Sequence, residues 1–204
     1  MYKSKSYFEC PPYPDGKYYK EWCVNFDKKI CFITINKNAG SSIREGLKCH
    51  GFNNVLVDYQ HLSSYLDDLK NFKFFSFVRD PHQRYVSGLA EFLFLYYKNY
   101  NEEYIENNLK ENKFIFDHHT IPQSDNIING TYIFKLDHNV SKTISYLINE
   151  SVNIPILNSS KIKLNFSAQF DFCAKMHERY CLNNQAYMNL YQRDFEYVSS
   201  CGGI

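Results

Sequence analysis

The sequence predicts an α/β fold with a central parallel β-sheet flanked by helices, and three observations lead there. Two short apolar runs, Ile30 to Ile35 and Phe74 to Val78, each stop at a polar turn and pass directly into a stretch with helical spacing. A third run, Val55-Leu56-Val57, lies between them with a helical stretch on each side. This alternation is the pattern of parallel βα units. With 204 residues, the chain can bury a sizeable core without metals or disulfides. It reads as an irregular N-terminal arm over 1–29, one main domain over 30–198 and a flexible tail over 199–204.

In the arm, Pro11-Pro12-Tyr13-Pro14-Asp15-Gly16 is a turn cluster, and Tyr18 to Phe26 predicts a short hairpin packed outside the main sheet. The first strand, Ile30 to Ile35, is followed by a polar loop and a helix. Ser41 or Ser42 is the expected N-cap, Ile43 and Leu47 recur at helical spacing, and the helix ends near Gly51. Val55 to Val57 is expected as a second parallel strand. The next helix is capped by Ser63 or Ser64 and runs through Leu69, which leaves His61 at a strand's carboxyl end, where α/β sheets place ligand groups. Phe74 to Val78 reads as a central buried strand. Asp80 caps the following helix and Pro81 opens it, the favoured place for proline.

That helix continues to about Tyr100 with Phe92, Phe94, Tyr96 and Tyr97 on it, read mainly as core packing. A more polar helix covers Asn101 to Asn112, a strand Thr131 to Leu136, and a helix Ser141 to Asn149. The polar run Val152 to Asn165 is expected as an exposed loop. Helices are predicted over Ala168 to Cys181 and over Asn184 to Tyr197.

Composition excludes several classes. A formal net charge of +1 supplies no general basic field, which argues against nucleic-acid binding and makes any anion site a local one. Seven cysteines, with no Cys-x-x-Cys and no Cys/His ligand spacing, argue against zinc. Cys10 with Cys23, or Cys173 with Cys181, could close short loops in an oxidising compartment, but reduced thiols are the expectation. Five Asn-x-Ser/Thr sequons lie between Asn129 and Asn165, and using them would require secretory entry. No apolar run approaches the roughly 20 residues of a membrane span, and the first residues lack a signal-type apolar stretch. A soluble, cytoplasmic protein is expected, or a lumenal one if the chain is a trimmed catalytic domain.

Two segments carry the chemistry. The loop Asn36-Lys37-Asn38-Ala39-Gly40-Ser41-Ser42 joins a strand to a helix N-terminus, where backbone N–H groups, two hydroxyls and one cation can hold an anion. Lys37 precedes Gly40 and the hydroxyls, so the Walker order ending in Gly-Lys-Ser/Thr is absent. The second segment, Phe77-Val78-Arg79-Asp80-Pro81-His82-Gln83-Arg84-Tyr85-Val86-Ser87, puts an arginine at a strand end and a serine two turns into the adjoining helix. An arginine fork and a nearby hydroxyl suit a phosphate group. Arg84 is expected to brace the helix through an ion pair.

Together and in this order, the two segments resemble the cofactor motifs of sulfotransferases that use 3′-phosphoadenosine-5′-phosphosulfate (PAPS), the heparan 2-O-sulfating kind in particular. The first resembles the family's Pro-Lys-x-x-Gly-Ser/Thr-Ser/Thr phosphosulfate loop, with Asn36 in place of the proline. The second resembles its Arg-Asp/Asn-Pro-x-x-Arg-x-x-Ser 3′-phosphate motif. The resemblance implies a three-layer, P-loop-like sulfotransferase fold. It also implies cofactor binding by Lys37, Asn38, Ala39, Gly40, Ser41, Ser42, Arg79 and Ser87, and release of 3′,5′-ADP without a metal. His61 lies before the second motif much as the base histidine does in that family. His119, which opens His119-Thr120-Ile121-Pro122-Gln123, resembles a segment near the family's acceptor cleft and is the second candidate base. Leu190 to Phe195 resembles a common Tyr-x-x-Asp-Phe ending, with Asp194 structural.

The implied activity is sulfuryl transfer to a hydroxyl of a glycan or other acceptor, with Lys37 stabilising the departing phosphate oxygen. Two alternatives stand beside it. A nucleotide or small-molecule kinase could use the loop but would bring a Walker lysine and magnesium carboxylates, which are not found. A non-catalytic module on the same fold would bind nucleotide without turnover.

Overall fold

The computed structural model describes residues 19–58, 61–96, 100–155 and 167–201. The turn cluster Pro11 to Gly16, Cys10, Tyr97, the sequons at Asn158 and Asn165, most of the expected loop from Val152 to Asn165, and the last three residues lie outside them. In chain order the elements are β1 (Tyr19–Asn25), β2 (Ile30–Ile33), α1 (Gly40–Lys48), β3 (Asn53–Asp58), α2 (Leu62–Asp68), β4 (Lys73–Val78), α3 (Pro81–Tyr96) and α4 (Glu102–Lys110). A 3-10 turn (Gln123–Asn126), β5 (Tyr132–Lys135), α5 (Val140–Ile148), α6 (Ser167–Tyr180), α7 (Gln185–Leu190) and α8 (Gln192–Ser200) follow.

The five strands form one mixed sheet in the order β3-β1-β2-β4-β5, flanked by helices. β2, β4 and β5 run parallel, whereas β1 is antiparallel to both of its neighbours. The fold is therefore α/β as expected, but the sheet is not wholly parallel. The segment assigned to an outlying arm is the cause. Tyr19 to Asn25 is an interior strand, because Trp22, Cys23 and Val24 are fully buried and Trp22 packs edge-on against Phe74 with ring centroids 5.9 Å apart. Only residues 26–29 separate β1 from β2, too few for the crossover that a parallel pair needs. The chain turns back there as a hairpin, with Asn25 Oδ1 accepting the Lys28 N–H at 2.8 Å. β3 consequently pairs with β1, at the sheet edge, and not with β2.

The described chain divides into two units. One lies within Pro12–Arg79 and Asn126–Leu157 and contains the whole sheet; the other lies within Asp80–Asp125 and Asn158–Ser200. In the sheet unit Phe32, Phe75 and Phe77 pack in series, with Phe32 and Phe75 5.2 Å apart. Ile43 and Leu47 of α1 and Ile144 and Ile148 of α5 close over them. Each such side chain contributes about 1.5–3 kcal/mol on leaving water. The apolar spacing that predicted α1 is thus the spacing that buries it.

The helical unit is built on α3, whose Tyr85, Leu89 and Leu93 share a core with Ile105 and Leu109 of α4, Cys173 of α6 and Tyr187 of α7. Phe92 belongs to that core, whereas Phe94 and Tyr96 are exposed. Asn101 and Asn184 cap α4 and α7 through their side chains. The single helix expected over Asn184 to Tyr197 is two: it breaks at Tyr191, which is buried and gives its hydroxyl to the Thr120 carbonyl. The six described cysteines are free thiols.

A close approach fixes one glycine. A Cβ on Gly46 of α1 would stand 2.5 Å from Ile154 Cδ1 and 2.9 Å from the Asn153 carbonyl oxygen. Gly46→Ala is expected to destabilise the protein by about 1–3 kcal/mol despite alanine's better helix propensity. Urea unfolding checks this; a midpoint that stays level or rises would contradict the packing.

Candidate functional site

The loop after β2 is strained and braced. Lys37 and Ala39 have φ of 66° and 57°, the left-handed region, which costs a residue with a Cβ about 1–2 kcal/mol. Three side-chain bonds within the sheet unit fix this junction, one between β2 and β4 and two between the loop and the end of β4. Ser76 Oγ donates to the Ile33 carbonyl at 2.8 Å, Asn38 Nδ2 to the Phe77 carbonyl at 2.8 Å, and Arg79 Nη1 to the Lys37 carbonyl at 3.2 Å. β2 and β4 are neighbouring parallel strands, so these bonds join their carboxyl ends.

This geometry refines the residue roles. The N-cap of α1 is Ala39, not Ser41 or Ser42, since the left-handed turn at Ala39 starts the helix at Gly40 without a side-chain cap. Both hydroxyls thereby fall in the first helical turn, Ser41 exposed and Ser42 buried. A helix does not use its own first-turn N–H groups, and here they accompany two cations, Lys37 and Arg79, both partly exposed. Asn38 serves differently: it is buried, its own N–H bonds the Ile35 carbonyl at 3.2 Å, and its side chain is one of the three braces. That amide is therefore turned into the protein. Gly40 answers to packing, because a Cβ there would lie 2.5 Å from Thr34 Cγ2.

His61 occupies the N-cap position of α2 in place of Ser63 or Ser64. Its side chain is 68% exposed, with Nδ1 3.5 Å from Asp58 Oδ2. Water competes for such a contact, so the imidazole is only loosely oriented.

The helical unit holds the remaining predicted residues. Asp80 Oδ1 accepts the Gln83 N–H at 2.8 Å, the expected cap, and Ser87 is buried in α3. Arg84 addresses the backbone of a neighbouring segment. It is buried and donates to the Ile121 carbonyl at 2.7 Å, while the charge of Asp194 offsets part of the burial that lowers its pKa.

His119 is held at two points by one carboxylate. Its Nδ1 lies 2.8 Å from Asp117 Oδ2, and its backbone N–H donates to Asp117 Oδ1 at 2.8 Å. Asp117 is buried, and the Thr120 hydroxyl accepts the Asp117 N–H at 3.1 Å. A carboxylate at Nδ1 puts the proton there and leaves the Nε2 lone pair to act as a base. Asp117 did not stand out in the sequence, although its place two residues before a histidine was legible. Asp117, His118 and His119 also form the one group among the described residues whose ligand atoms lie close enough to share a metal, within 4.8 Å of one another. Both carboxylate oxygens of Asp117, however, already bond His119.

The structure thus brings Lys37, Ser41, Ser42 and Arg79 together in the sheet unit, and Ser87 and His119 belong to the helical unit. No protein-family model, curated protein or solved structure matches the chain. Among the described residues no helix is long and apolar enough to cross a membrane.

Two histidines make the helical unit acid-sensitive. Burial and the neighbouring His119 push His118 down to about 4, and burial with the adjacent His82 does the same to His177. Well above pH 6.5 both are neutral whether folded or not. Below it the unfolded chain takes up protons that the folded one refuses, and each histidine then costs up to about 1.4 kcal/mol of stability per pH unit. Urea titrations at pH 7 and pH 5 should show stability falling, the two histidines outweighing the single opposite contribution of Asp194, whose carboxyl burial pushes up. A His177→Gln variant that still unfolds cooperatively should show a shallower fall; no difference between the two pH values would contradict the burial of both rings.

Proposed function

We propose that the protein is a PAPS-dependent sulfotransferase that moves the sulfuryl group to a carbohydrate hydroxyl. The observation that supports it is the junction in the sheet unit, where Arg79 at the end of β4 bonds the backbone of the Lys37 loop at the end of β2. Ligands of α/β sheets bind beyond the carboxyl ends of such strands. A nucleotide with a 5′-phosphosulfate and a 3′-phosphate offers two anions to the two cationic segments. The first-turn N–H groups of α1 and the hydroxyls of Ser41 and Ser42 take the phosphosulfate, and the Arg79 guanidinium takes the 3′-phosphate. Recognition of the 3′-phosphate then anchors the nucleotide far from the sulfur, so binding energy orients the reacting bond.

In the reaction the acceptor oxygen attacks sulfur, its proton passes to a base, and the bond between sulfur and the phosphate oxygen breaks with its electron pair on the leaving phosphate. Lys37 stabilises the charge that grows there. The base is His119, whose imidazole Asp117 orients, in preference to the solvated His61. The bracing of the loop by Asn38 and Arg79 gives it the stiffness that a proline at position 36 would otherwise supply.

The test is transfer from sulfur-labelled PAPS to a panel of glycan acceptors. Wild type should label at least one, and Lys37→Ala should lower kcat by about 10²–10³-fold, the usual loss when a stabiliser of transition-state charge is removed. His119→Ala should lower kcat about 10²–10⁴-fold with binding of 3′,5′-ADP retained, and His61→Ala should change it little. The reverse ranking would transfer the base role to His61. Nucleotide binding with no transfer to any acceptor would leave a binding module.

A further inference from the structure

We infer that Tyr191, Asp194 and Arg84 are positioning residues for His119, gripping the segment 119–124 from α3 and from the break between α7 and α8. The inference rests on the reading of His119 as the base. The grip covers the whole segment. The Tyr191 hydroxyl donates to the Thr120 carbonyl. Arg84 Nη1 donates to the Ile121 carbonyl at 2.7 Å. Asp194 accepts from the Gln123 N–H at 2.7 Å and from the Ser124 N–H at 2.8 Å, one on each carboxylate oxygen. Pro122 has no N–H to offer. At the His119 end, α3 approaches so closely that a Cβ on Gly88 would collide with the His119 carbonyl oxygen.

All three gripping side chains are buried, with relative exposures of 1% for Arg84, 1% for Tyr191 and 0% for Asp194. Merely covering a loop does not require this. Burying a guanidinium and a carboxylate costs more than burying apolar groups of the same size, and such groups are suited to fixing one backbone geometry. The geometry they fix is that of the turn carrying the Asp117 and His119 pair, whose own bonds run from residue 116 to residue 120 through the Thr120 hydroxyl. A carbonyl or amide shifted in 120–124 moves Nε2 of His119, and a misplacement of about 1 Å can cost 10²-fold in rate.

The test begins with the unmodified protein. Long-range 1H–15N NMR at neutral pH should show His119 as a single tautomer with the proton on Nδ1; a proton on Nε2 or a tautomer mixture would overturn the inference. Tyr191→Phe then removes one hydroxyl and keeps the ring. It should leave cooperative unfolding and the affinity for 3′,5′-ADP within about twofold, lower kcat at least about tenfold, and convert His119 to a tautomer mixture. Asp194→Asn, which removes the charge and one of the two acceptors, should disturb the His119 tautomer and lower kcat further, with a loss of stability as well. A folded Tyr191→Phe protein with unchanged kcat and an unchanged His119 signal would reduce the grip to plain stabilisation and overturn the inference. If wild type transfers no sulfuryl group while Tyr191→Phe still disturbs the His119 tautomer, the grip stands and the sulfotransferase reading falls.

Discussion

The pairing of β2 with β4 is the constraint on which the rest of the site depends. It sets the ends of two parallel strands side by side; Ser76 ties the last residue of β2 to β4, and Asn38 and Arg79 tie the loop beyond β2 to the end of β4. Ser76, buried inside β4, and Asn38, buried inside the loop, have no apolar role. Their value lies in satisfying carbonyls where regular pairing stops, since an unmet buried polar group costs about 1–3 kcal/mol. The result is a loop that keeps two left-handed residues with side chains, Lys37 and Ala39, in place. Strain of this kind persists only where the surroundings over-determine it, and it tends to mark functional turns.

The helical unit solves a similar problem with different chemistry. A segment with little secondary structure runs from Phe114 to Ser124, and buried polar side chains provide most of its hydrogen-bond partners. Tyr85 gives its hydroxyl to the Phe114 carbonyl at 3.0 Å, so α3 supports that segment at both ends, through Tyr85 and through Arg84. α3 is therefore a scaffold in a literal sense. Its apolar face makes the core, and its polar residues address the backbone of the neighbouring loop.

Much of this was legible from local pattern. Although α1 begins at the left-handed turn of Ala39 and not at a serine cap, the apolar runs of β2 and β4 and the Asp80-Pro81 helix start are written in neighbouring residues and were found where spacing and capping put them. The split of the last helix at Tyr191 and the placing of β1 were not. Both depend on partners distant in the chain: Thr120 for Tyr191, and β3 with β2 for β1. Tyr19 to Asn25 was read as part of an arm outside the main sheet, yet even Lys20 is buried in it. The candidate base shows the same division. His61 and His119 were equally visible as histidines, but the carboxylate that distinguishes them lies in a turn whose shape only the Thr120 hydroxyl reveals.

The most direct measurement is a calorimetric titration with 3′,5′-ADP, with 5′-AMP and ATP as comparisons and Arg79→Ala beside wild type. A site built from the Lys37 loop and Arg79 should bind 3′,5′-ADP tightly and 5′-AMP at least about tenfold more weakly, the worth of one charge-assisted phosphate contact. Arg79→Ala should erase that preference. Equal affinity for 3′,5′-ADP and 5′-AMP in wild type would contradict the account and leave a phosphate loop without the selectivity that PAPS requires.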